Sequence, residues 1–222
     1  MAEISADTLT RFLVKAVRTF TSGELAYLAL TSKPEHPIRD RLAWILHNEL
    51  PGCVIAREWM SPCPRERTSP GAKRNRARAD LAILRENDHR ALAIVEMKAA
   101  YTFDFDGAGR QTVEKYGQKV KDDLVKAREA GGTEAQAFAL LLLTHPTSAP
   151  VQPTPVVKYA SEISRSLNKR GAAALAVTAR EVAENRLKTL GDVTSGTLST
   201  GSAFGIEVFI DYFLVAEHPH PA

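Results

Sequence analysis

Residues 137–143, Ala-Phe-Ala-Leu-Leu-Leu-Leu, form the longest unbroken apolar run in the chain. A membrane-spanning helix needs about 20 such residues, so this run is too short to cross a bilayer, and it lacks the alternation of a strand with one solvated face. An uninterrupted apolar strand has to be covered on both sides, as the central strands of an α/β sheet are. The chain must therefore supply helices for two faces. Its 222 residues, 44% apolar and 25% charged, are enough for such a core, and at that length neither disulfide nor structural metal is needed for stability.

The helices are legible as periodicity. Residues 8–20 bring Leu9, Phe12, Leu13, Ala16, Val17 and Phe20 to one face behind a cap at Asp7. A second helix is expected over 24–30 and a third over 37–50, with Pro37 in its first turn and Ile38, Leu42, Ile45 and Leu46 as its buried stripe. Residues 53–60 read as a strand, and 81–85 and 91–97 as two more, joined by a polar stretch of hairpin length. A long helix over 107–130, capped by Asp106 and stopped by Gly131 and Gly132, turns Val113, Tyr116, Val120, Leu124 and Ala127 inward. Beyond the apolar strand, helices at 156–168 and 179–189 flank a short strand at 172–177. A loose Gly-, Ser- and Thr-rich stretch at 191–205 then leads to a last strand at 206–215. The expected fold class is α/β: a single domain over 1–222 with a central mixed β-sheet flanked by α-helices. Its N-terminal helices lie in 1–50, its core spans about 37–144, and further helices and strands occupy 150–216.

The net charge of +3 is concentrated in one place. Arg65, Arg67, Lys73, Arg74, Arg76 and Arg78 stand against only Glu66 and Asp80 between positions 61 and 80, so this segment carries more positive charge than the whole chain nets. Cationic side chains there would neutralise phosphates and attract nucleic acid with a salt-sensitive affinity. Cys53 and Cys63 have neither CxxC spacing nor a histidine pair nearby and read as reduced thiols. The N-terminus lacks the order of a signal peptide, so an intracellular, cytoplasmic protein without membrane contact is expected. The glycines at 191, 196, 201 and 205 make no P-loop, and Ser199 does not sit in Gly-x-Ser-x-Gly. Tyr101, Phe103 and Phe105 fit either a core or a base-stacking role.

Chemistry converges on the hairpin. If it closes symmetrically over 86–90, Asp80 lies opposite Glu96, with Cβ atoms about 5 Å apart. Strand alternation puts Lys98 on the face of Glu96 and turns Val95 and Met97 the other way. A slip of two residues would oppose Asp80 to Lys98 and still keep all three on one face. Two hard carboxylates beside a lysine suit phosphodiester hydrolysis: the carboxylates bind Mg²⁺, which keeps waters and takes substrate phosphate oxygens, and the ammonium orients or helps deprotonate the attacking water. A plainer role also accounts for the pattern, a salt-bridged sheet face in which Lys98 only neutralises Asp80 and Glu96.

In Asp80, the hairpin spacing and Glu96-Met97-Lys98 set in apolar strands, the chain resembles the PD-(D/E)XK, or restriction-endonuclease-like, nucleases over about residues 37–143. Ala79 stands where the family name has proline. The resemblance implies a mixed sheet flanked by helices and Mg²⁺-dependent cleavage of nucleic acid, usually DNA, with Mn²⁺ as a substitute ion and RNA left open. It also implies an acidic metal ligand from an early helix, for which Asp40 is preferred to Glu49, with Glu58 as a third candidate. A polar residue on the following helix, best matched by Gln118 with Lys115 and Lys119 beside it, would complete the set. The expected catalytic residues are thus Asp80, Glu96, Lys98 and Gln118, the metal ligands Asp80, Glu96 and Asp40. Cutting both strands would call for a homodimer. The alternative is a catalytically inactive nucleic-acid-binding or assembly protein on the same fold.

Overall fold

A computed structural model describes residues 4–62, 78–106, 110–151 and 155–217. Three helices come first, α1 (Ala6–Val17), α2 (Glu24–Thr31) and α3 (Glu35–Glu49). Strands β1 (Cys53–Met60), β2 (Arg78–Arg85) and β3 (Ala91–Tyr101) follow, then a 3-10 turn over Thr102–Phe105, helix α4 (Arg110–Gly131) and strand β4 (Gln136–Pro146). Helices α5 (Ala160–Arg170) and α6 (Ala172–Leu187) lead to strands β5 (Asp192–Ala203) and β6 (Ile206–Ala216). The strands form one six-stranded mixed sheet in the order β1-β2-β3-β4-β6-β5. Only β3 and β4 are parallel, joined by the α4 crossover; the other neighbours are antiparallel.

The apolar run behaves as its composition demands. Every residue of β4 from Ala137 to Pro146 is buried. Phe138, Leu140 and Leu142 pack under α1, α2 and α3 with Val95, Met97 and Leu214, while Ala139, Leu141 and Leu143 meet α4 and α6 on the other face. Both helical layers thus bear on the same central strand, which fixes the sheet as the middle layer of three. Helix α1 is capped two residues earlier than expected: the Ser5 hydroxyl, not Asp7, accepts from the Thr8 N–H at 3.2 Å.

Two expected elements differ. Residues 172–177, read as a strand, are the first turns of α6. Ala172, Ala173, Ala174 and Ala176 are strong helix formers, and Leu175 continues a buried stripe through Ala179, Ala183 and Leu187. The stretch at 191–205, read as a loose loop, is instead the edge strand β5 and its turn into β6, paired from Asp192 opposite Ala216 to Ala203 opposite Ile206. Its Thr and Val residues carry β propensity. Arg180 of α6 clamps it from outside, donating to Thr197 Oγ1 at 2.8 Å and to Asp211 Oδ1 at 3.3 Å. Among the described residues, no helix is long and apolar enough to cross a membrane.

Candidate functional site

The hairpin closes in the symmetrical register, with Leu81 opposite Val95, Ala82 opposite Ile94 and Ile83 opposite Ala93, and shifts by one residue only toward its tip. At the other end the backbone ladder gives way to side chains. The Asp80 carboxylate accepts from the Met97 N–H at 2.8 Å, the Asp80 N–H donates to Glu96 Oε1 at 3.3 Å, and Glu35 of α3 accepts from the Ala99 N–H at 2.8 Å. Asp80 and Glu35 thus take the Met97 and Ala99 N–H groups along the β3 edge where its ladder with β2 ends, with Glu96 reaching back to Asp80. On the far side of Asp80, Glu58 of β1 has φ of 53° between the paired residues Arg57 and Trp59. A left-handed backbone is costly for a non-glycine residue inside a strand, and here it sits directly across from Asp80.

Alternation turns Glu96 and Lys98 toward α4, which answers with Asp123 and Lys126, three residues apart and so on one side of the helix. Lys126 Nζ donates to Glu96 Oε2 at 2.6 Å, and Lys98 Nζ lies 3.5 Å from Asp123 Oδ2. Glu96 is 1% exposed. Burial pushes its carboxyl up to about 7; the Lys126 hydrogen bond and charge work against that rise, and the neighbouring Asp80 and Asp123 carboxylates add to it. Burial likewise raises the Asp123 carboxyl, with Lys98 and Lys126 opposing. Asp123 Oδ2 is buried without a hydrogen bond of ordinary length, so the Lys98 ammonium 3.5 Å away is what offsets its burial.

Asp80, Glu96 and Lys98 thus come together. Gln118 is exposed on α4 and donates to Asp122 Oδ1 at 2.7 Å rather than to the cluster. Asp40 pairs with Arg39 at 3.0 Å and Arg57 at 3.1 Å, and Glu49 pairs with Lys15 at 2.6 Å. Glu58 binds Arg39 and Arg78; burial pushes its carboxyl up, but the two guanidinium groups outweigh this and hold it below the usual range. Of the basic segment, Arg78 is placed at the start of β2, whereas Arg65, Arg67, Lys73, Arg74 and Arg76 lie outside the described residues. Tyr101 and Phe105 are buried, and Phe103 stacks on Tyr101 with ring centroids 5.0 Å apart.

Glu35, Asp123 and Lys126 escaped the sequence reading. A helix begun at Pro37 leaves Glu35 outside it. Asp123 and Lys126 flank the buried stripe of Val120, Leu124 and Ala127, and an acid bordering an apolar stripe was the available signal.

Among the described residues, no group of three or more His, Cys, Asp or Glu is close enough to hold a metal ion. Mg²⁺ asks for less, since it is commonly held by one or two carboxylates and keeps its remaining waters. The pair Asp80 and Glu96 has the hard-oxygen chemistry for it, and Asp123, paired with Lys98 at 3.5 Å, adds a further carboxylate beside them. The donor set therefore fits such an ion. Comparison of the chain with protein-family models, curated proteins and solved structures gives no match.

Proposed function

We propose that this chain is a Mg²⁺-dependent nuclease of the restriction-endonuclease-like type that hydrolyses DNA phosphodiesters internally. The observation carrying this conclusion is the convergence of Asp80, Glu96 and Lys98 at one end of the β2–β3 pair, with the Lys98 ammonium held 3.5 Å from the buried Asp123 carboxylate of α4. The sheet around it is mixed and flanked by helices, the coarse architecture the resemblance implies.

Asp80 and Glu96 would hold the ion, which when bound acidifies a water and neutralises charge developing on the phosphate. Lys98 Nζ, steadied by Asp123, donates to the attacking water and to a non-bridging phosphate oxygen, stabilising negative charge as it grows. Lys126 works against the rise that burial imposes on the Glu96 carboxyl, which still stands at about 7. Glu35, reaching the same strand end from α3, is the early-helix acid best set to support the pair. Cleavage of both strands would use two copies of the chain.

A second function has an observation in its favour. Lys126 and Lys98 already oppose Glu96 and Asp123 as ion pairs, which suits a nucleic-acid-binding or assembly protein without catalysis. Supercoiled plasmid separates the two. With Mg²⁺ or Mn²⁺ the wild type should yield nicked or linear DNA, and Asp80→Ala or Lys98→Ala should lower the rate about 100-fold or more. Folded wild-type protein that leaves DNA intact across several divalent ions would sink the nuclease proposal.

A further inference from the structure

Building on the nuclease proposal, we infer that Lys33, Lys115 and Lys119 form a phosphate-binding track that takes the DNA backbone where it leaves the Asp80, Glu96 and Lys98 cluster. Lys115 and Lys119 lie four residues apart on α4, so they share one side of the helix with a rise of about 6 Å between them. Lys126, bound to Glu96, lies further along the same helix, so these lysines step away from the cluster. Lys33 comes from the short turn between α2 and α3, two residues before Glu35, whose carboxylate caps β3 at Ala99. Two separate elements thus bring ammonium groups to the same end of β3.

The acids around these lysines are engaged elsewhere. Glu114 pairs with Arg186 at 3.1 Å, Asp122 accepts from Gln118 at 2.7 Å, and Asp104 accepts from the Tyr101 N–H at 3.0 Å and the Tyr116 hydroxyl at 3.1 Å. Among the described residues, none of Lys33, Lys115 and Lys119 has an ion-pair partner. Lys119 is also held in place: its ammonium lies 4.7 Å from the centroid of the Tyr116 ring. Partial burial, and then the charges of Lys115, Lys33 and Lys98, lower its pKa from the ordinary lysine value. Solvated lysines ordinarily spread apart. A group that repels itself beside a phosphodiester-cleaving cluster is relieved when phosphate oxygens enter it, and each phosphate neutralised releases a condensed counterion from the DNA.

The test is fluorescence anisotropy with a labelled oligodeoxynucleotide, single- and double-stranded, in EDTA over a salt series, so that cleavage plays no part. For duplex, Lys115→Ala/Lys119→Ala should weaken binding about tenfold at 0.1 M salt and make the slope of log K against log salt less negative by about 2. Lys33→Ala should change the slope by about 1. Lys119→Arg, which keeps the charge, should restore most of the affinity. Arg11→Ala/Arg18→Ala, on α1 and at its C-terminal cap and across the sheet from α4, should leave the slope unchanged and serves as the control. Equal losses on oligonucleotides with a 5′-phosphate and a 5′-hydroxyl are expected for a backbone track; a loss confined to the phosphorylated end would overturn it. An unchanged slope in the folded double variant, checked by its melting temperature, would also overturn it, even for an active nuclease. Conversely, the expected slopes in a protein that never cuts DNA would sustain the track while the nuclease proposal fell.

Discussion

Glu96 is a carboxyl group whose burial and lysine partner pull in opposite directions, which makes its protonation a readable property of the fold. Its pKa is about 7 in the folded protein and 4.5 when unfolded, so below 4.5 both states carry the proton and between the two values only the folded state keeps it. Stability is therefore highest at the acid end of that window and is lost as pH rises through 7, by on the order of 3 kcal/mol. In EDTA, the melting temperature of the wild type should fall between pH 4.5 and 7 relative to Glu96→Gln, which has no proton to lose there; parallel profiles would refute the assignment. Lys126→Met should cost about 1–3 kcal/mol above pH 7, where it strands an ionised carboxylate, and less in acid. The triad Asp80, Glu96 and Lys98 was legible because hairpin closure and strand alternation act over short stretches of chain. Their partners were not: Asp123 and Lys126 lie some 30 residues further on, and the docking of α4 on the sheet selects them.

Among the elements, β5 and α6 show how local composition and tertiary context divide the decision. Residues 192–203 contain two glycines and three serines, a loop-like composition, yet pairing with β6 over Asp192–Ser199 and, past a register shift, at Ser202 and Ala203 makes them a strand. Gly196 is required there because a Cβ would come within 2.6 Å of the Tyr212 hydroxyl, in a ring packed against the core. Gly196→Val is expected to cost about 1–3 kcal/mol. Gly171, at the junction of α5 and α6, presents the opposite case. No neighbouring atom crowds it, but its φ of 74° and ψ of 155° belong to a region nearly exclusive to glycine. Gly171→Ala should lower stability by about 1–3 kcal/mol through backbone strain alone. Urea titrations measure both changes, and midpoints equal to the wild type would show that neither backbone is needed.

Across the whole molecule one sheet is shared by every apolar cluster. The layer under α1, α2 and α3 and the layer under α4 and α6 both use β4, so neither face can lose its helices without exposing the strand they share. Unfolding should accordingly be a single transition, with near- and far-ultraviolet circular dichroism changing together; separate midpoints would mean that the N-terminal helices form an independent unit. A divalent-ion thermal shift addresses the candidate site at the same scale. Mg²⁺ or Mn²⁺ should raise the melting temperature of the wild type and not of Asp80→Ala, in line with the free energy of ion binding to the folded state alone. By itself the sequence determined the α/β class, most of the strands and helices, and the convergence of Asp80, Glu96 and Lys98. Those follow from periodicity and alternation, which are properties of neighbouring residues. Only the tertiary structure decided that 192–203 is a strand and that Glu35, Asp123 and Lys126 surround the hairpin carboxylates. Each of those depends on what another part of the chain packs against it, and such long-range contacts leave no period in the sequence.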